Sequence, residues 1–148
     1  SGVAFSPCYA LMVAFDEPAG WPEVMRPQGA FDLVLRDSSK PGRDGTTECW
    51  VAHAGADWSR ANLEMDRAEA TTALLEALTD CAGPLPPLRY ASAHRWRFAR
   101  PISPLGEAFA ASADGTLLAG GDWALGRDVE DAVSSGRAMA RALLGQRV

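Results

Sequence analysis

The sequence predicts an α+β fold in which an antiparallel sheet of about five or six strands is packed by helices. Three observations carry that prediction. Short apolar runs at residues 8–15, 30–36, 48–54 and 88–99 have strand length and strand-like composition. Two stretches, 67–79 and 127–144, repeat apolar residues at helical spacing. The segments between them are rich in Gly, Pro, Asp and Ser, and the second and third strands are joined by such a loop, the arrangement of an antiparallel pair.

In chain order, residues 8–15 (Cys-Tyr-Ala-Leu-Met-Val-Ala-Phe) are almost wholly apolar and read as a strand buried on both faces. The run from Asp16 to Pro22 breaks it with turn chemistry. In residues 30–36, Phe31, Leu33 and Leu35 share one face. Residues 38–45 form a loop, and 48–54 the third strand. Residues 57–63 read as a short irregular piece containing Trp58. Asp66 and Glu69 have the spacing of a capping box ahead of Leu74, Leu75 and Leu78, so a helix is expected over 67–79. Gly83-Pro84-Leu85-Pro86-Pro87 ends it. In the strand at 88–99, Tyr90, Ser92, His94, Trp96 and Phe98 fall on one face, with Arg95 and Arg97 on the other. The aromatic face is expected to be the core side of the sheet or, alternatively, the wall of an apolar pocket. A short strand near 108–113, the Asp114-Gly115 hairpin signal and an apolar run into Gly120 follow.

The last helix is expected over 127–144, with Val129, Ala132, Val133, Gly136, Ala140 and Leu143 as its buried face. Asp128, Glu130 and Asp131 stand at its start, and Arg137, Arg141 and Arg147 toward its end, which suits the helix dipole at both ends.

At 148 residues the chain fits one domain, able to bury roughly 70% of its unfolded surface. An apolar fraction of 47% fits a globular protein, and a net charge of −5 without any Lys/Arg run argues against a nucleic-acid partner. Cys8, Cys49 and Cys81 are odd in number and lack metal-ligand spacing, so a reducing, cytoplasmic setting and no metal are expected. No apolar run is long enough to span a membrane, and no signal peptide is recognisable.

The chemistry-bearing stretch is Leu117-Leu118-Ala119-Gly120-Gly121-Asp122-Trp123 with the helix after it. Paired glycines let a backbone approach another group closely. The Asp122 carboxylate can accept hydrogen bonds from sugar-like hydroxyls. A helix start presents unpaired N–H groups and a partial positive charge. The plain alternative is a strand-to-helix connection of the kind many α/β proteins contain.

This turn, with Val129-Glu130-Asp131-Ala132-Val133-Ser134-Ser135-Gly136-Arg137-Ala138-Met139-Ala140, resembles the C-terminal flavin-contacting motif of FAD-dependent amine oxidases, and in particular the renalase-like NAD/FAD-dependent oxidoreductases. Four further stretches are similar in the same order: Pro7 to Met12, Asp37 to Arg43, Trp58-Ser59 and Ala93 to Ala99. The resemblance implies a substrate-binding α+β region over 1–104, an antiparallel sheet with helices. It implies a strand–turn–helix over 105–148 that belongs to a Rossmann-type, NAD(P)-binding-like FAD domain. It assigns cofactor contacts to Gly120, Gly121, Asp122, Trp123, Arg127, Asp128 and Val129, with Asp122 on the ribityl chain. It sets His94, Trp96 and Phe98 toward a small-molecule substrate, His94 being a weak candidate for a catalytic group. The implied reaction is hydride transfer from substrate to flavin, with NAD(P)H one candidate substrate.

The sequence departs from the family in one respect. The G-x-G-x-x-G turn that cradles the FAD pyrophosphate is absent. The chain is therefore expected to be the C-terminal portion of a larger flavoprotein oxidoreductase, inactive and without tightly held FAD when alone. It is expected to self-associate through the face that would meet the FAD-binding half. The competing expectation is a stand-alone α+β module that binds a small apolar ligand or a protein and does no redox chemistry. Neither a Gly-x-Ser-x-Gly elbow nor a Cys-x-x-Cys pair supports a hydrolase or a metal site. The Lys40-Pro41-Gly42-Arg43 turn is read as a solvated tip, with an anion or the partner half as the alternative occupant.

Overall fold

The structure is a computed structural model that describes residues 2–145. It is mixed α+β, with an antiparallel sheet and several helices. The chain forms two compact units, residues 7–97 and residues 1–6 with 98–148.

The larger unit is built on the sheet. Its strands are β1 (Ala4–Phe15), β2 (Val24–Met25), β3 (Phe31–Arg36) and β4 (Glu48–Ala54). Two helices follow, α1 (Ala56–Ala61) and α2 (Arg67–Ala82), and then β5 (Leu88–Ser103). The sheet order is β2-β3-β4-β1-β5, so the most apolar strand, β1, lies inside and β5 is an edge. Register aligns Met12 with Val51 and Val51 with Leu35, and in the next row Ala10 with His53 and His53 with Leu33. These rows form one face of the sheet. Tyr9, Leu11, Val13 and Phe15 of β1 form the other, together with Trp50, Ala52 and Ala54 of β4.

On that second face α2 supplies Ala70, Leu74 and Leu78, all fully buried. The capping box expected at its start is present: the Glu69 amide donates to Asp66 Oδ1, and the Asp66 amide to Glu69 Oε2. The helix runs three residues beyond the expected end and stops at Gly83, whose φ of 83° only glycine adopts readily. Residues 57–63, expected to be irregular, begin within α1 instead. Ser59 on this helix is buried and accepts a hydrogen bond from the Tyr9 amide (3.1 Å), an anchor from another strand that local pattern does not display.

The correction of greatest consequence concerns β5. Its core-facing residue is Ala93, with Ala91 beside it, whereas Tyr90, His94, Trp96 and Phe98 are all exposed. Small alanines lie close against the core, which leaves the bulky alternate residues on the outside. Arg95 and Arg97, on the face opposite the aromatics as expected, form ion pairs with Glu64.

In the smaller unit a hairpin of β6 (Ala110–Ala111) and β7 (Leu118–Ala119) turns at Gly115, φ 70°. Asp114 holds this turn by accepting bonds from Ser112 and Thr116. Then come α3 (Asp122–Leu125), a one-turn helix not expected from the sequence, and α4 (Val129–Gly145). Among the described residues no helix is long and apolar enough to cross a membrane.

Candidate functional site

β7 delivers the chain to Gly120, and the residue is glycine because α4 crosses directly over it. An added Cβ would collide with Ser135 Oγ and stand 2.9 Å from Met139 Cε. The Gly121 amide donates to the same Ser135 hydroxyl (3.0 Å), which is fully buried. A Cβ at Gly121 would meet the Trp123 indole, 2.9 Å from Nε1. The paired glycines thus serve two close approaches, one to α4 and one to Trp123.

This close approach corrects the expected buried face of α4 in part: Ala132 and Gly136 are half-buried, but the other four residues are exposed. Ser135 is buried, and Asp131, Ala132, Ala138, Met139 and Ala142 are half-buried along the same side. Val129, Val133, Ala140 and Leu143 point outward; Val129 is 76% exposed. The helical period was read correctly, but small size rather than apolarity selects the packed side where backbone meets helix. Arg137 and Arg141 are exposed, and Arg147 lies outside the described residues.

Asp122 is half-buried at the start of α3, and its Oδ1 accepts the Trp123 amide (2.8 Å). Gly126 is the next tight point, because a Cβ there would overlap the Asp131 carboxylate. Asp131 Oδ2 accepts the amides of Arg127 (2.9 Å) and Asp128 (3.1 Å). A carboxylate from within α4 therefore occupies the N–H groups assigned above to a cofactor edge. Around Val129, Glu130, Val133, Ser134 and Arg137 lies a shallow depression of about 270 Å³. Measured against FAD, these residues fit one contact and not another. The half-buried Asp122 carboxylate is the group that a ribityl hydroxyl would meet. The amides of Arg127 and Asp128, just ahead of α4, are already taken by Asp131.

The second group of predicted residues lies on β5. His94 and Trp96 are in edge contact, with ring centroids 4.5 Å apart. Trp96 is 55% exposed, and Phe98 is 74% exposed and packs edgewise on Phe5. Among the three, only His94 lines a cleft of about 250 Å³, over Tyr9 and Ala93 and beside Met65, Asp66, Arg67 and Arg95. Sequence reading missed this cleft. Its floor depends on the buried Tyr9, whose hydroxyl lies 3.2 Å from the carbonyls of Asn62 and Met65. Arg95 donates to the Leu63 carbonyl, and Arg97 makes a two-point pair with Glu64 (2.9 and 3.0 Å). The Arg97 hydrogen bonds, chiefly, hold the Glu64 carboxyl below its ordinary value. Arginines alternating on a strand were the available signal; their partner Glu64, 33 residues before Arg97, was not.

Elsewhere, Lys40 and Arg43 both pair with Asp37 (2.6 and 3.1 Å), so the two cations of that turn share one carboxylate. His53 Nδ1 lies 3.9 Å from Cys8 Sγ across β1 and β4. Among the described residues no cluster of three or more His, Cys, Asp or Glu side chains could hold a metal ion.

The fold and site define an α+β protein with an antiparallel sheet and a strand–turn–helix appendage. No known protein-family model matches the chain.

Proposed function

We propose that this chain is the substrate-binding and C-terminal portion of a FAD-dependent oxidoreductase of amine-oxidase, renalase-like type, working in a reducing cytoplasmic setting. In the intact enzyme the Rossmann-type half would hold the FAD pyrophosphate, and hydride would pass from a small-molecule substrate to the flavin. Asp122 would hold the ribityl chain of the cofactor, Gly120 and Gly121 would fix that turn against α4 and Trp123, and Trp123 with residues 127–129 would border the ring. His94 and Trp96 would face substrate, with Phe98 farther along the same strand.

The observation that carries this reading is the packing of Gly120 beneath Ser135. It ties the turn that carries the half-buried Asp122 to a seventeen-residue helix within one compact unit. The test is a titration of FAD into the protein supplemented with a glycine-rich nucleotide-binding half expressed as a separate polypeptide. Retained flavin absorbance that falls about tenfold or more in Asp122→Ala supports the reading, since hydrogen bonds involving a charged group are worth roughly 1.5–3 kcal/mol. Absence of flavin uptake by any such pairing favours the stand-alone binding module instead, for which the exposed aromatics of β5 are the supporting observation.

A further inference from the structure

The edge strand β5 carries a sequence that is self-complementary about His94. When position 94 is set opposite itself in an antiparallel copy, Arg95 meets Ala93 and Arg97 meets Ala91. In the same register Arg89 meets Ala99 and Arg100 meets Leu88. No arginine faces another. Trp96 falls opposite Ser92, large against small, and Tyr90 opposite Phe98, an aromatic pair of the kind that stabilises antiparallel strands. Pro87 and Pro101, seven residues on either side, end the pairing symmetrically, because proline has no N–H to give a ladder. Displacing the register by one residue at each copy would set Arg95 against itself in one direction or Arg97 against Arg89 in the other.

The structure makes that edge accessible. β5 is the outermost strand of the sheet, and Tyr90, Trp96 and Phe98 are 54%, 55% and 74% exposed along it. Beside its centre, at Ala93, His94 and Arg95, lies the open cleft over Tyr9. The Ala93 amide is bonded to a side chain, Thr71 Oγ1 at 2.9 Å, rather than to a strand, and a side-chain acceptor can be exchanged for a carbonyl. A long edge strand with exposed aromatic side chains is a template for another strand.

We propose that β5 is an interaction surface for a second copy of this chain. The two β5 strands pair antiparallel about a two-fold axis at His94 and join two five-stranded sheets into one. The contact is isologous, each copy giving the same residues, and its specificity comes from every arginine meeting a small or apolar residue. It uses the strand edge, independently of the flavin reading.

The test is light scattering of the full chain over a concentration series, with two exposed substitutions. A dimer is expected, and Phe98→Lys or Tyr90→Glu alone weakens it by about tenfold, since each removes two equivalent aromatic pairs. The double variant recovers the dimer because each lost pair becomes a Lys–Glu pair. A monomer at every concentration, a dimer indifferent to the single substitutions, or a double variant without recovery overturns the proposal. A second measurement checks the register without disturbing those pairs. His94→Cys, with Cys49 and Cys81 changed to serine, should form a disulfide-linked dimer under a mild oxidant, because residues on the axis stand about 4.5–5.5 Å apart at Cα. Ser92→Cys, which faces Trp96, should not. Failure of His94→Cys to cross-link, or equal cross-linking by both, rejects the axis.

Discussion

A methyl group on Gly120 would run into Ser135 Oγ and the Met139 methyl, all within one compact unit. Gly120→Ala is therefore expected to cost about 1–3 kcal/mol through overpacking. Adding Ser135→Gly should return part of that loss, which urea denaturation of the single and double variants measures. Glu48 is a second residue with a readable consequence. Burial raises its carboxyl, but bonds from Arg36 (2.6 Å), Trp50 Nε1 (2.8 Å) and the Ala19 amide outweigh burial and hold it below the ordinary carboxylate value. A carboxyl lower in the folded than in the unfolded chain stabilises the fold above the unfolded value, about 4.3. That contribution disappears as pH falls from there through the folded value. Glu48→Gln should reduce stability by about 1–2 kcal/mol at neutral pH and flatten the decline below pH 4. An equally steep acid limb in the variant would assign the decline to other carboxylates.

Among the elements, α2 is the one whose local and tertiary signals agree throughout. Its capping box and its Leu74–Leu78 stripe both appear in the chain order, and both are present in the fold. Leu74→Ala is expected to cost 2–5 kcal/mol as a core cavity, against about 1 kcal/mol for Asp66→Ala at the cap. Thermal melts that rank the two in the opposite order would mean the helix contributes little to the core. α4 is the instructive contrast. Its apolar stripe at Val129, Val133 and Leu143 faces out, so Val133→Lys should shift stability by less than about 0.5 kcal/mol. In β5, as in α4, alternation located the two faces but not which was inside. A strand carries its period in its own residues, whereas the choice of face depends on what packs against it. For β5 that neighbour is α2, whose Thr71 bonds the Ala93 amide, and the small Ala91 and Ala93 are the β5 residues packed in or against the core.

For the whole molecule, the proposed reading expects the purified chain to be colourless and to take up flavin only alongside a nucleotide-binding half. Absorbance near 450 nm in the chain by itself would require another cofactor cradle and would sink that expectation. The antiparallel sheet and most of its strands were legible because strand length, turn residues and apolar content are local properties. So was the candidate turn, since Gly120, Gly121 and Asp122 are adjacent in sequence. The role of Asp131 was not legible: its carboxylate reaches back to the amides of Arg127 and Asp128 only because α4 starts where it does. Nor was the Tyr9 cleft, which needs three separate segments brought together. What the chain determined by itself is the longer strands and helices, their periods and the symmetry of β5 about His94, since each is written in consecutive residues. Tertiary structure alone decided which faces are covered, which arginines are neutralised and which amides are occupied, because those depend on contacts between residues far apart in the chain.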